Sequence, residues 1–111
     1  MADVRFGRLA RRQLDTVAEQ RREQAGAQSS DRLRQAFHRF FLTLGEFSRI
    51  GTVIYHTTEH QFRQFPVEGF VLRFRVDHDG DVVIIDIRHG RMRSPPVDVL
   101  EQQAEDVTET E

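Results

Sequence analysis

The stretch Gly69–Arg91, GFVLRFRVDHDGDVVIIDIRHGR, decides the fold. It holds two runs rich in β-branched and aromatic residues, separated by Asp77 to Gly80, a pattern that predicts a β-hairpin. Asp79 and Gly80 suit positive φ, so the expected connection is a tight turn at these two residues. That turn sets the register: Phe70, Leu72, Phe74 and Val76 share one face with Val83, Ile85, Ile87 and His89. Val71, Arg73 and Arg75 share the other with Val82, Ile84, Asp86 and Arg88, and Arg73 stands opposite Asp86. The first face is apolar and requires a covering layer. The second is mixed and basic, and an antiparallel sheet can leave such a face in water.

The covering layer lies upstream. Leu33, Ala36, Phe37, Phe40, Phe41, Leu44 and Phe47 recur at steps of three and four, which puts them on one face of a helix. Leu9, Ala10, Leu14, Val17 and Ala18 make a shorter stripe on a helix from Leu9 to about Gln24. The segment AGAQSS from Ala25 to Ser30 reads as a loop, with Ser29, Ser30 or Asp31 placed to cap the second helix. Helices joined by a short polar loop pack as an antiparallel hairpin. Asp3 to Gly7 alternates enough for an edge strand, Thr52 to Phe65 leans to β, and Pro66 with Gly69 marks a turn or bulge. The expected fold class is α+β: an N-terminal strand, then an antiparallel helical hairpin packed on an antiparallel sheet of three to four strands.

A chain of 111 residues has room for one core. Pro95 and Pro96 stop regular structure, so residues 1–96 are expected to form the domain and 97–111 an acidic, disordered tail. Nine Phe against one Tyr and no Trp are mostly core material, since Phe has no polar atom to place. Without Cys there is no disulfide framework and no thiolate chemistry, which suits a reducing compartment and makes the cytoplasm the expected location. No apolar run reaches the roughly 18 residues of a membrane span, and MADVRFGRLA lacks an apolar signal core.

The formal net charge of −2 conceals an asymmetry. All sixteen basic residues are Arg and all precede Pro96, against twelve acids there, while six acids and no base follow it. A basic body fits a partner carrying negative charge, either nucleic acid or an acidic protein segment. The tail allows two readings: it stays solvated, or residues 98–111 fold back onto the Arg-bearing face.

Four segments, VRFGRLARRQLDTVAE, LGEFSRIG, QFRQFPVEGFVLRFRVD and DVVIIDIRHGR, follow one another in an order and spacing that resembles the RelE/ParE superfamily of type II toxins, closest to the ParE-like, plasmid-stabilisation branch. The match spans most of residues 4–93. It departs in detail: the family usually has Pro in the turn after the second helix, where Ser48 stands, and often Tyr where Phe70 or Phe74 stands. The resemblance implies a toxin with a cognate antitoxin as partner, in a hetero-oligomer, and a target that is either DNA gyrase or the ribosome with its mRNA. A non-toxic binding protein on the same scaffold is a third reading.

Metal-free RNA cleavage requires a base, cations around the phosphorane and an acid for the leaving oxygen. If the chain is a nuclease, His89 and Arg73 are the candidate catalytic residues. Histidine is the usual acid–base side chain at neutral pH, although parity also allows His89 simply to cap the sheet edge. Arg73, Arg75, Arg88, Arg91 and Arg93 are candidates for target or phosphate binding, with Glu59, His60 or Arg63 approaching from the neighbouring strand. The single Tyr, Tyr55, lies outside the C-terminal segment where nuclease branches often carry one, and there is no Lys, so binding without turnover is the favoured reading. His56 and His60 share a strand face too far apart to chelate, and neither a metal nor any cofactor is expected.

Overall fold

A computed structural model of the chain describes residues 3–90 and 107–110. The elements are β1 (Val4–Gly7), α1 (Arg8–Ala25), α2 (Ala27–Glu46), β2 (Thr52–His56), β3 (His60–Val67), β4 (Phe70–Asp77), β5 (Val82–His89) and β6 (Val107–Thr110). The strands join in one sheet in the order β2-β3-β4-β5-β1-β6, and the helical hairpin covers one face of it.

The hairpin is tighter than the sequence predicts. AGAQSS is no loop: a single residue, Gly26 at φ 90°, separates the helices, and α2 begins at Ala27. Ser30 does not cap α2. Its hydroxyl donates to the Ala18 carbonyl at 2.7 Å, a buried bond that pins the two helices together. With one face of α2 carrying Phe37, Phe40 and Phe41, the core becomes a ring cluster. Phe40 stacks on Phe65 of β3 at 4.9 Å, and Phe41 meets Phe6 of β1 edge-on at 4.8 Å. Such pairs add about 0.5–1.5 kcal/mol beyond burial.

The expected antiparallel sheet is instead mixed. β2 to β5 form an antiparallel meander, but β1 pairs parallel to β5, Val4 with Val82 through Phe6 with Ile84. The whole helical hairpin and three strands lie between these two strands in sequence, and such a long connection permits the parallel return. β3 and β4 are joined by a two-residue turn, with both Glu68 and Gly69 at positive φ.

The β4–β5 connection corrects the register forecast. Rather than a two-residue turn, Asp77 to Asp81 form a longer loop, closed by the Asp77 amide donating to the Asp81 carbonyl at 2.9 Å. Val76 therefore pairs with Val82 and Phe74 with Ile84. A β-bulge then falls between Phe74 and Arg73, leaving Ile85 as the extra residue, so that Arg73 pairs with Asp86 as expected. The faces of the first half of β5 are thereby exchanged. Val82 and Ile84 enter the main core, whereas Val83 and Ile85, expected there, form a second cluster with Phe62 on the opposite face.

The tail also departs from its forecast in part. Val107–Thr110 pair antiparallel with β1, although composition predicts no ordered element after Pro96. A strand edge recruits partners through backbone groups, which need no apolar side chain. The rest of the expected disordered tail, residues 97–106 and 111, lies outside the described residues.

Candidate functional site

The face expected to be open and basic is closed at its centre. Arg73 is 1% exposed and Asp86 0%. The Arg73 guanidinium donates twice to the Asp86 carboxylate, from Nε at 2.8 Å and Nη2 at 2.7 Å, the bidentate geometry that best supports a buried charge pair. Arg88 adds a further donor, its Nε 3.2 Å from Asp86 Oδ2. One buried carboxylate thus holds two guanidinium groups, and Nη1 of Arg73 is buried without a hydrogen-bond partner. Phe62, Val83 and Ile85 form a buried apolar cluster on the same side of the sheet, and Arg75 and Arg88 there remain partly exposed. Arg75 lies in register between Phe62 and Val83, with its Nε 3.0 Å from Asp77 Oδ1.

The other candidates scatter. His89 is exposed at the end of β5, edge-on to Phe70 at 6.0 Å, on the side of the sheet away from Arg73. The parity expected for His89 therefore holds in this second half of β5, and it separates the two candidate catalytic groups by the sheet itself. Arg91 and Arg93 lie outside the described residues. Arg63 is structural: its Nε donates to the Ile50 carbonyl at 2.9 Å and its Nη2 to those of Arg49 at 2.7 Å and Gly51 at 3.2 Å. Burial, and then the charge of Arg49, lower its pKa from the usual guanidinium value. His56 and His60 stand on different strands, β2 and β3. Among the described residues no group of three or more His, Cys, Asp or Glu is gathered as a metal would need.

A feature the sequence reading did not single out is a groove of about 650 Å³ between α1 and the ends of β4 and β5. Leu9, Val17, Phe70 and Ile87 form its apolar floor, and Arg12 and His89 belong to its rim. β1 pairs with β5 only as far as Ile84, and among the described residues no strand lies beside the outer edge of β5 beyond that point. Gln13 of α1 compensates, its Oε1 accepting from the Ile87 amide at 2.7 Å. The signal was present in the i, i+4 spacing of Leu9, Gln13 and Val17. A polar residue inside an apolar stripe marks a backbone group to be satisfied.

No helix among the described residues is long and apolar enough to cross a membrane. No curated protein sequence is significantly similar to this one. Among solved structures, a chain described as "Chromosomal ParDE TA system from P. aeruginosa" superposes with a TM-score of 0.64 at 17% identity, covering 80% of this chain and 96% of that one. At that identity the likeness speaks for the fold. The family model described as the ParE toxin of the type II toxin-antitoxin system, parDE, matches residues 4–94. With a matched segment running from the first residue of β1 past the end of β5, the chain belongs to the ParE toxin family.

Proposed function

We propose that this chain is a cytoplasmic toxin that arrests growth by binding DNA gyrase, not by cutting RNA, and that a cognate antitoxin neutralises it by laying an amphipathic, acidic segment in the α1–sheet groove. The observation that carries the first half is the state of Arg73. A phosphorane needs cations that can reach it, with an acid or base beside them. Arg73 is buried and committed to Asp86, and His89 lies across the sheet from it. Neither Lys nor a C-terminal Tyr is present to replace them. Support for the second half comes from the groove, whose apolar floor and basic rim fit the i, i+3, i+4 face of an acidic amphipathic helix.

Expression of the chain alone is the first test, with growth arrest expected and rescue expected from the short reading frame beside its gene. Purified protein should then inhibit gyrase supercoiling, and His89→Ala should leave that inhibition intact. Transcript cleavage at codon boundaries during arrest, lost in His89→Ala, would transfer the chain to the ribosome-dependent nucleases. Full growth with abundant soluble protein would sink both toxin readings.

A further inference from the structure

We infer that the outer edge of β1 is a strand-acceptor site for an extended acidic segment of a partner protein, and that the chain's own C-terminal strand β6 occupies it as a displaceable competitor. This rests on the toxin reading only for who the partner is.

Three observations carry it. First, β6 is a minimal strand: four residues, with Arg5 opposite Thr110, Phe6 opposite Glu109 and Gly7 opposite Val107, and a register break between Phe6 and Gly7. That break leaves Thr108 without an opposite residue, so the ladder is short and interrupted. Pairing of this length is marginal by itself. Second, β6 stands at the end of the sheet and is joined to it through β1 alone, so its removal uncovers an edge without disturbing the order of the other five strands. Third, the charges are complementary. The acceptor strand and the first turns of α1 carry Arg5, Arg8, Arg11 and Arg12, and the donor region carries Glu105, Asp106, Glu109 and Glu111.

An edge strand left bare invites indiscriminate pairing. A tethered strand prevents this, because intramolecular pairing acts at an effective concentration in the millimolar range. Weak binders are then excluded, and only a segment that also makes contacts elsewhere on the molecule displaces β6. The same backbone pairing that holds β6 would hold the incoming strand, and the arginines of β1 and α1 would attract its acidic side chains.

The test needs neither gyrase nor antitoxin, so its failure is separate from failure of the toxin reading. The probe is a fluorescent peptide of residues 104–111, AEDVTETE, added to the natural full-length chain and to a full-length variant carrying Val107→Pro and Glu109→Pro. The two prolines remove backbone donors from β6. The variant should bind the peptide about tenfold or more tightly than the natural chain does. Binding should weaken as salt rises, and the Phe6 amide, which faces β6 and should exchange faster in the variant, should be protected again by the peptide. Equal binding to both proteins, no binding to the variant at about 1 mM peptide, or dimerisation of the variant through β1 in place of peptide capture would overturn the inference. Should the double variant lose its helical circular dichroism, Glu109→Pro alone, at the residue opposite Phe6, provides the same comparison.

Discussion

Ile84 and Ile87 lie three residues apart on one strand, yet both face the helices. A regular strand would send them to opposite sides. The bulge that takes up Ile85 makes the difference, and it also buries Ile85 against Phe62 on the far side. Ile84→Ala and Ile85→Ala should therefore each cost about 2–5 kcal/mol in urea unfolding. Because they belong to separate clusters, the double variant should approach the sum of the two. A near-silent change at either position would mean that β5 alternates regularly after all.

Asp86→Asn leaves two guanidinium groups facing an uncharged amide, one of them fully buried. Stability should fall by about 3–5 kcal/mol. Replacing the pair together, Arg73→Met with Asp86→Leu, should restore most of that loss, since the desolvation of both charges disappears with them. Chemical denaturation of the three proteins separates these outcomes; a double variant as unstable as the single one would show that the pair contributes shape as well as charge.

Gln13→Ala removes the acceptor of the Ile87 amide. The expected loss is about 1–3 kcal/mol, and hydrogen exchange should accelerate at Ile87 more than at Leu72, its neighbour across the ladder. Unchanged protection at Ile87 would show that water substitutes for the side chain.

Gly51 and Gly26 both have positive φ but differ in surroundings. A Cβ on Gly51 would come within 2.2 Å of the Gln64 carbonyl oxygen, whereas one on Gly26 meets nothing within 4 Å. Gly26→Ala should lose roughly 1–3 kcal/mol through the backbone alone. Gly51→Ala should lose more, or fail to fold. Thermal melts that rank the two the other way would contradict the close approach of β3 to the turn after α2.

Arg12→Glu reverses a charge on the groove rim at an exposed position. The fold should be affected by no more than about 0.5 kcal/mol. Association with the cognate antitoxin should slow by about tenfold at low salt, and the difference should shrink as salt rises. An unchanged association rate measured by stopped flow would move the antitoxin away from this groove.

The parts legible in the sequence were those governed by period. The α2 stripe from Leu33 to Leu44, the β4–β5 hairpin and the pairing of Arg73 with Asp86 all follow from side chains recurring at 3.6 or at 2. What escaped was set by single residues acting on backbone. One residue of extra loop at the hairpin tip and one bulged Ile85 cancel by the time Arg73 is reached, so the pairing came out as expected while the faces of Val82 to Ile85 did not. That exchange gave Phe62 its apolar neighbours Val83 and Ile85 on the face expected to be open. The groove was invisible for a related reason: it arises where β1 stops, and no local pattern announces the length of a parallel pairing.

The Arg73–Asp86–Arg88 centre also constrains how this lineage can change. An apolar replacement of the centre requires at least two substitutions; losing Asp86 first strands the buried Arg73 charge, whereas losing Arg73 first leaves Asp86 paired with Arg88. The order of the two changes therefore matters, even where the destination is as stable as the origin. A route that begins at Asp86 meets the full cost of an unpaired buried guanidinium, and one that begins at Arg73 does not, so Arg88 keeps open a way out that the pair alone would close.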